Sequence, residues 1–126
     1  MRLHLTLMSK QLEDIMLALV NYSNMSEEEV KKNIAETFYV DLDLVNKYEI
    51  VIAYLGDDSV YEEYSFFLLR NKETGVLFEN QASHCSCSGF EQQFDPKETT
   101  LTYLKSEHFY FNGLSEEVKE FIKTLE

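Results

Sequence analysis

The softest and most reactive side chains of this sequence fall in one stretch, Ser83-His84-Cys85-Ser86-Cys87-Ser88-Gly89-Phe90-Glu91-Gln92-Gln93-Phe94-Asp95-Pro96. Both cysteines and one of the three histidines occupy its first five residues. Thiolates and imidazoles are ligands that zinc prefers, usually four of them in a closed structural site. Cys85 and Cys87, two apart, project to the same side of an extended segment. His84 joins them if the segment bends, and His108 completes a tetrahedral set if a helix beginning at Asp95 folds back along a sheet edge. The Cys-x-x-Cys knuckle is absent, so two readings stay open. One is a zinc site on Cys85, Cys87, His84 and His108; the other is a pair of buried reduced thiols packed as small hydrophobes beside a hydrogen-bonded histidine.

A cysteine nucleophile with His84 or His108 as its base is the enzymatic alternative. In a strand, however, His84 would point away from Cys85. The charges near the pair in sequence are Glu79 and Glu91, which hold a thiol pKa up rather than down. No phosphate-cradling glycine loop or serine nucleophile elbow is present. A non-enzymatic protein is the expectation.

The elements that must position this stretch read as α+β. Leu3, Leu5 and Leu7 alternate with polar residues as a short strand, with an early helix as competitor. Leu12, Ile15, Met16, Leu19 and Val20 repeat at helical spacing and predict a first helix ending near Tyr22-Ser23-Asn24. Ser26 and Glu29 form a capping box, with Met25 and Val30 at the hydrophobic-staple positions, so a second helix starts there with Val30, Ile34 and Phe38 on its buried face. Asp41-Leu42-Asp43-Leu44 lacks the glycine and distant glutamate of a calcium loop and reads as a connection or one short helical turn.

Tyr48 to Leu55, Val60 to Leu69 and Val76 to Phe78 are rich in strand formers and separated by Gly56-Asp57-Asp58-Ser59 and Asn71-Lys72-Glu73-Thr74-Gly75. They predict an antiparallel β-meander packed with N-terminal and C-terminal helices on one face. Asp95, Pro96 and Glu98 carry the N-cap, first-turn proline and box glutamate of a helix through Leu101 and Leu104. Ser115 caps a last helix with Val118, Phe121, Ile122 and Leu125 in one stripe. With no linker or repeat, residues 1–126 read as a single domain, and 44% hydrophobic residues is too apolar for a disordered chain.

Eleven basic against 23 acidic residues give a net charge of -12, which repels nucleic acid phosphates and anionic membranes. The aromatic segment carries few cations between Tyr48 and Phe78, so it does not read as a base-stacking platform. No leader or membrane-spanning run is evident, and a cytoplasmic location with reduced cysteines is expected. The densest acidic clusters are Glu27-Glu28-Glu29, Asp57-Asp58 with Glu62-Glu63, and Glu116-Glu117 with Glu120. They either solubilise the protein or meet a partner's basic surface.

The segment Ser83-His84-Cys85-Ser86-Cys87, followed by Gly89-Phe90-Glu91, Gln93-Phe94 and Pro96-Lys97-Glu98-Thr99-Thr100, resembles a Ser-His-Cys-Ser-Cys segment found in small phage and prophage proteins. The resemblance covers this stretch and extends at most to the meander before it, not to the N-terminal helices. It implies a phage-encoded product similar in type to the anti-CRISPR inhibitors, several of which occupy basic nucleic-acid channels of RNA-guided nucleases. The function expected on that footing is an acidic, zinc-binding, non-enzymatic inhibitor. It would act in the host cytoplasm on a protein with a basic groove, such as a type II RNA-guided nuclease, through the three acidic clusters, with no direct nucleic acid contact. The alternative is a phage accessory protein with a cysteine- or metal-dependent activity.

Overall fold

Phe66, Phe67, Leu68 and Leu69 are consecutive and fully buried, so the strand that carries them is covered on both faces. The computed structural model describes residues 16–57, 62–85, 89–109 and 116–126. In these, a five-stranded sheet runs in the order β1 (Leu17–Val20), β2 (Tyr48–Asp57), β3 (Glu62–Asn71), β4 (Leu77–Cys85) and β5 (Lys97–Thr99). Helices α1 (Glu27–Phe38) and α2 (Leu42–Val45) lie between β1 and β2 in sequence. Helices α3 (Leu101–Leu104) and α4 (Glu116–Thr124) follow β5. The architecture is α+β, and the central β2-β3-β4-β5 run is an antiparallel meander.

Alternation along the strands makes two cores. Phe67 and Leu69 join Tyr22, Val30, Ile34, Phe38, Val45 and Ala82 on the α1 side. Phe66 and Leu68 join Leu19, Tyr54, Val118, Ile122 and Leu125 on the α4 side. The helices therefore cover both faces, not one as the sequence suggested. Each fully buried large apolar side chain contributes about 1.5–3 kcal/mol, so only two covers make a strand with this composition stable. A register shift between Ile50 and Ile52 lets the successive residues Val51 and Ile52 both enter the α4-side core, as the extra residue of a bulge permits.

The capping box of α1 forms as expected: Glu29 N–H donates to Ser26 Oγ at 3.1 Å, and Ser26 N–H to Glu29 Oε1 at 2.8 Å. Met25 packs against the core that holds Val30. The segment Asp41–Leu44 is the short helical turn, with Asp41 Oδ1 accepting from Asp43 N–H.

Two elements differ from the sequence reading. Residues Leu17–Val20, assigned above to a first helix, form β1, parallel to β2 with Leu17 opposite Ile52 and Val20 opposite Leu55. Met16 and Ala18 meet the α1-side core, while Leu17 and Leu19 meet the other, so the same apolar run satisfies a period of two once β2 offers an edge. The helix expected from Asp95 is also absent: Lys97–Thr99 pairs with Glu79–Leu77 as β5, and the helical turn starts only at Thr100, whose hydroxyl accepts from Tyr103 N–H. Asp95 N–H goes to Asn80 Oδ1 and its carboxylate to Lys97 at 2.8 Å, which removes the helix cap. The strand over Leu3–Leu7, residues Leu12 and Ile15, and the Ser115 cap lie outside the described residues.

Phe38 is fully buried and touches Phe67, Phe90 and Phe94. Phe38→Ala is expected to destabilise by about 3–5 kcal/mol, and Ser26→Ala by about 1 kcal/mol. Chemical denaturation checks both, and equal midpoints for wild type and Phe38→Ala would overturn the placement of α1.

Candidate functional site

The cysteine stretch begins on β4, whose last residue is Cys85. Antiparallel register puts Glu63 of β3 directly opposite His84. Their side chains meet, His84 Nε2 to Glu63 Oε1 at 2.5 Å, as cross-strand neighbours of complementary chemistry do. Both are largely shielded, with 23% and 29% of their side-chain surface exposed. Phe90 sets its ring edge-to-face on the imidazole at 4.5 Å and stacks on Phe38 at 4.9 Å. A carboxylate on one ring nitrogen fixes the imidazole's orientation.

The loop that delivers Phe90 is held by side-chain amides. Past Glu79 the outer edge of β4 has no strand beside it among the described residues. Gln93 takes that place: its Oε1 accepts from Ser83 N–H at 3.0 Å, and its Nε2 donates to the carbonyls of Ser83 and Gly89 at 2.8 Å each. Asn80, 2% exposed, donates to the Gln93 carbonyl at 3.0 Å and accepts from Asp95 N–H at 2.6 Å. These bonds hold the loop on β4.

On the same side of the sheet, Tyr22 is fully buried, and its hydroxyl finds no partner among the described residues. Burial raises its pKa well above the ordinary value of 10.0, and the Glu63 carboxylate adds in the same direction.

The sequence-derived ligands are distributed as follows. His84 faces the α1-side core through Phe90. His108 is exposed and precedes Phe109, which packs on Phe66 in the other core, so the structure does not bring the two histidines to one face. Of Cys85 only the backbone is described, and Cys87 lies outside the described residues. Among the described residues, no group of three or more His, Cys, Asp or Glu side chains is arranged to hold a metal ion.

The acidic clusters fare unevenly. Glu27 Oε2 accepts from Ile50 N–H at 2.8 Å and pairs with Lys31 at 3.7 Å. Glu29 belongs to the capping box, which leaves Glu28 as the exposed carboxylate of its trio without such a structural bond. Two members of this trio thus make bonds that hold α1 and β2, so charge reversal there would disturb the fold as well as the surface. Glu63 is engaged by His84; Asp58 lies outside the described residues, and Asp57 and Glu62 are described by backbone alone. On α4 all three acids are exposed, with Glu116 3.3 Å from Lys119 and Glu120 3.4 Å from Lys123.

Sequence reasoning missed the corner between α1 and α2. There Tyr39 is 73% exposed and Leu44 46%, flanked by exposed Glu36, Asp41 and Asp43. Tyr39 also holds a left-handed backbone at φ 55°, a conformation that favours glycine or asparagine at a helix end. A tyrosine directly after the α1 stripe, where glycine is usual, is the signal that was available.

No family model matches this chain, and no curated protein or solved structure matches it at a significant level.

Tyr22 gives a prediction of definite sign. A tyrosine whose folded pKa is raised contributes stability that is fully present below the unfolded value near 10.0 and is lost as pH rises above it. Tyr22→Phe is expected to leave stability at pH 7 within about 1 kcal/mol or to raise it, because an unbonded buried hydroxyl contributes little. It should also shrink the alkaline loss. Denaturation midpoints from pH 7 to pH 11 check this, and an identical alkaline decline in both proteins would count against it.

Proposed function

We propose that the protein is a non-enzymatic binding module of the anti-CRISPR type. Its acidic surface occupies a basic nucleic-acid groove of an RNA-guided nuclease, of type II, in the cytoplasm of a phage host, and hinders loading of target DNA. The observation that supports this is how charge is committed. Lys31, Arg70, Lys97, Lys119 and Lys123 are paired with Glu27, Glu49, Asp95, Glu116 and Glu120, and Lys105 donates to the Leu125 carbonyl. Glu28, Glu36, Asp41, Asp43, Glu91, Glu98, Glu107 and Glu117 face solvent. Most of these cations stay at the surface beside an acid or carbonyl of the chain itself, and the surplus acids of a chain of net charge -12 are displayed to solvent.

One exposed ion pair contributes no more than about 1 kcal/mol, so carboxylates must act together to displace a nucleic acid. The α1–α2 corner adds Tyr39, an aromatic of the kind that anchors protein interfaces. No helix among the described residues is long and apolar enough to cross a membrane.

The test is a pull-down of type II nuclease complexes, followed by a target-DNA loading assay. Two charge-reversed variants suit it, Glu116→Lys/Glu117→Lys/Glu120→Lys and Glu36→Lys/Asp43→Lys, neither of which touches the Glu27 or Glu29 bonds. Inhibition should fall in at least one and should weaken steeply as salt rises, since exposed charges are screened within about 10 Å at 0.1 M. No association with any such complex, or full inhibition by both variants, removes the acidic mimic.

A second reading is favoured by the Glu63–His84 pair, because metal-bound histidines commonly give their other ring nitrogen to a carboxylate. Zinc on Cys85 and Cys87 with His84 would tie the end of β4 to the residues after it. One equivalent of zinc by elemental analysis, and a melting temperature lowered by a chelator, are the expected results. Metal-free protein indifferent to the chelator rejects it.

A further inference from the structure

At the end of β3 and β4 away from His84, lysines gather in a strongly acidic chain. Lys31 of α1 is 6% exposed, unusual for a residue that almost never buries unless paired. Its carboxylate neighbour Glu27 stands at 3.7 Å and already accepts from Ile50 N–H at 2.8 Å, so the ammonium's compensation is incomplete. Burial lowers the Lys31 pKa, with the Lys72 ammonium acting in the same direction and Glu27 opposing. Lys72 N–H donates to the Lys47 carbonyl at 3.0 Å, which brings the α2–β2 turn against the β3–β4 turn. Between them lies a cleft of about 410 Å³ lined by Asn46, Lys47, Asn71, Lys72 and Glu73.

We infer that this cleft is a binding site for a phosphate-sized oxyanion, held by Lys72 and Lys47 with the buried Lys31 reinforcing Lys72. Lys47 and Lys72 both line the cleft, and a phosphoryl or sulfate group offers several acceptor oxygens to their ammoniums at once. Asn46 and Asn71 also line the cleft. The Asn71 Oδ1 accepts from Glu73 and Thr74 N–H at 2.9 Å each, which fixes the turn. Glu73 is the carboxylate on the rim, and it opposes an anion.

Calorimetric titration of the full chain with inorganic phosphate and with sulfate, in chloride buffer of matched ionic strength, tests this. Saturable binding is expected, with amide shifts in a heteronuclear spectrum confined to residues around Asn46, Lys47, Asn71 and Lys72. Lys72→Met should weaken binding by about tenfold or more, since a charged hydrogen bond is lost, and Lys31→Met should weaken it less, because Lys31 does not line the cleft. Glu73→Gln should strengthen it, an effect that a merely structural role for the lysines does not produce. Lys119→Met, on α4, should leave it unchanged. Phosphate binding without sulfate binding would identify a protonated phosphoryl ligand, and equal binding a site for oxyanions in general; both support the site. No saturable binding at millimolar phosphate, shifts located elsewhere, or undiminished affinity in Lys72→Met overturns it.

Discussion

The burial of β3 on both faces is the constraint from which the rest of the fold follows. Phe66 and Leu68 need one cover and Phe67 and Leu69 another, and each lost cover would return two large side chains to water. The chain supplies α1 between the parallel strands β1 and β2, and α4 after the meander. A parallel pair needs a long crossover, and the residues between β1 and β2 provide one that carries the staple, the box and the Val30-Ile34-Phe38 stripe. The bulge at Val51 then adjusts which residues of β2 face which cover.

The second constraint is backbone satisfaction at the sheet's outer edge. β5 is three residues long and ends the ladder at Glu79, yet β4 runs on to Cys85. Unpaired strand edges invite association with other chains. Asn80 and Gln93 answer this with their amides, which carry both a donor and an acceptor as a peptide group does. The same bonds place Phe90 on His84, so the orientation of the histidine and the closing of the edge share one cause.

Charge is sorted by the fold more than its sequence pattern suggests. Acids adjacent in sequence have different work: Glu27 holds β2, Glu29 caps α1, and Glu28 between them faces water. Several cations meet acids or carbonyls of the chain itself, while Lys47 and Lys72 gather beside the Glu27-paired Lys31 at one corner. That corner and the acidic exterior are therefore two electrostatic regions on one small domain.

Local chemistry alone determined the α1 start, the short α2 turn, the strands of the meander and the apolar stripe of α4, because each is written in adjacent residues. Ser26 with Glu29 needs no distant partner to cap a helix, and Asn71-Lys72-Glu73-Thr74-Gly75 turns wherever it stands. The burial of Phe66–Leu69 on both faces was not read from the sequence, which suggested helices on one face, because α1 and α4 meet opposite faces only once the sheet has formed. What tertiary structure decided was every assignment with two local solutions. Met16 to Val20 fits helix or strand, and the free edge of β2 chose strand. Asp95-Pro96 fits a helix start, and Asn80, fifteen residues earlier, captured its backbone instead. Glu63 meets His84 only through strand register, and Lys31 meets Lys72 only when α1 lies on the sheet, contacts that residue types and spacing along the chain do not encode.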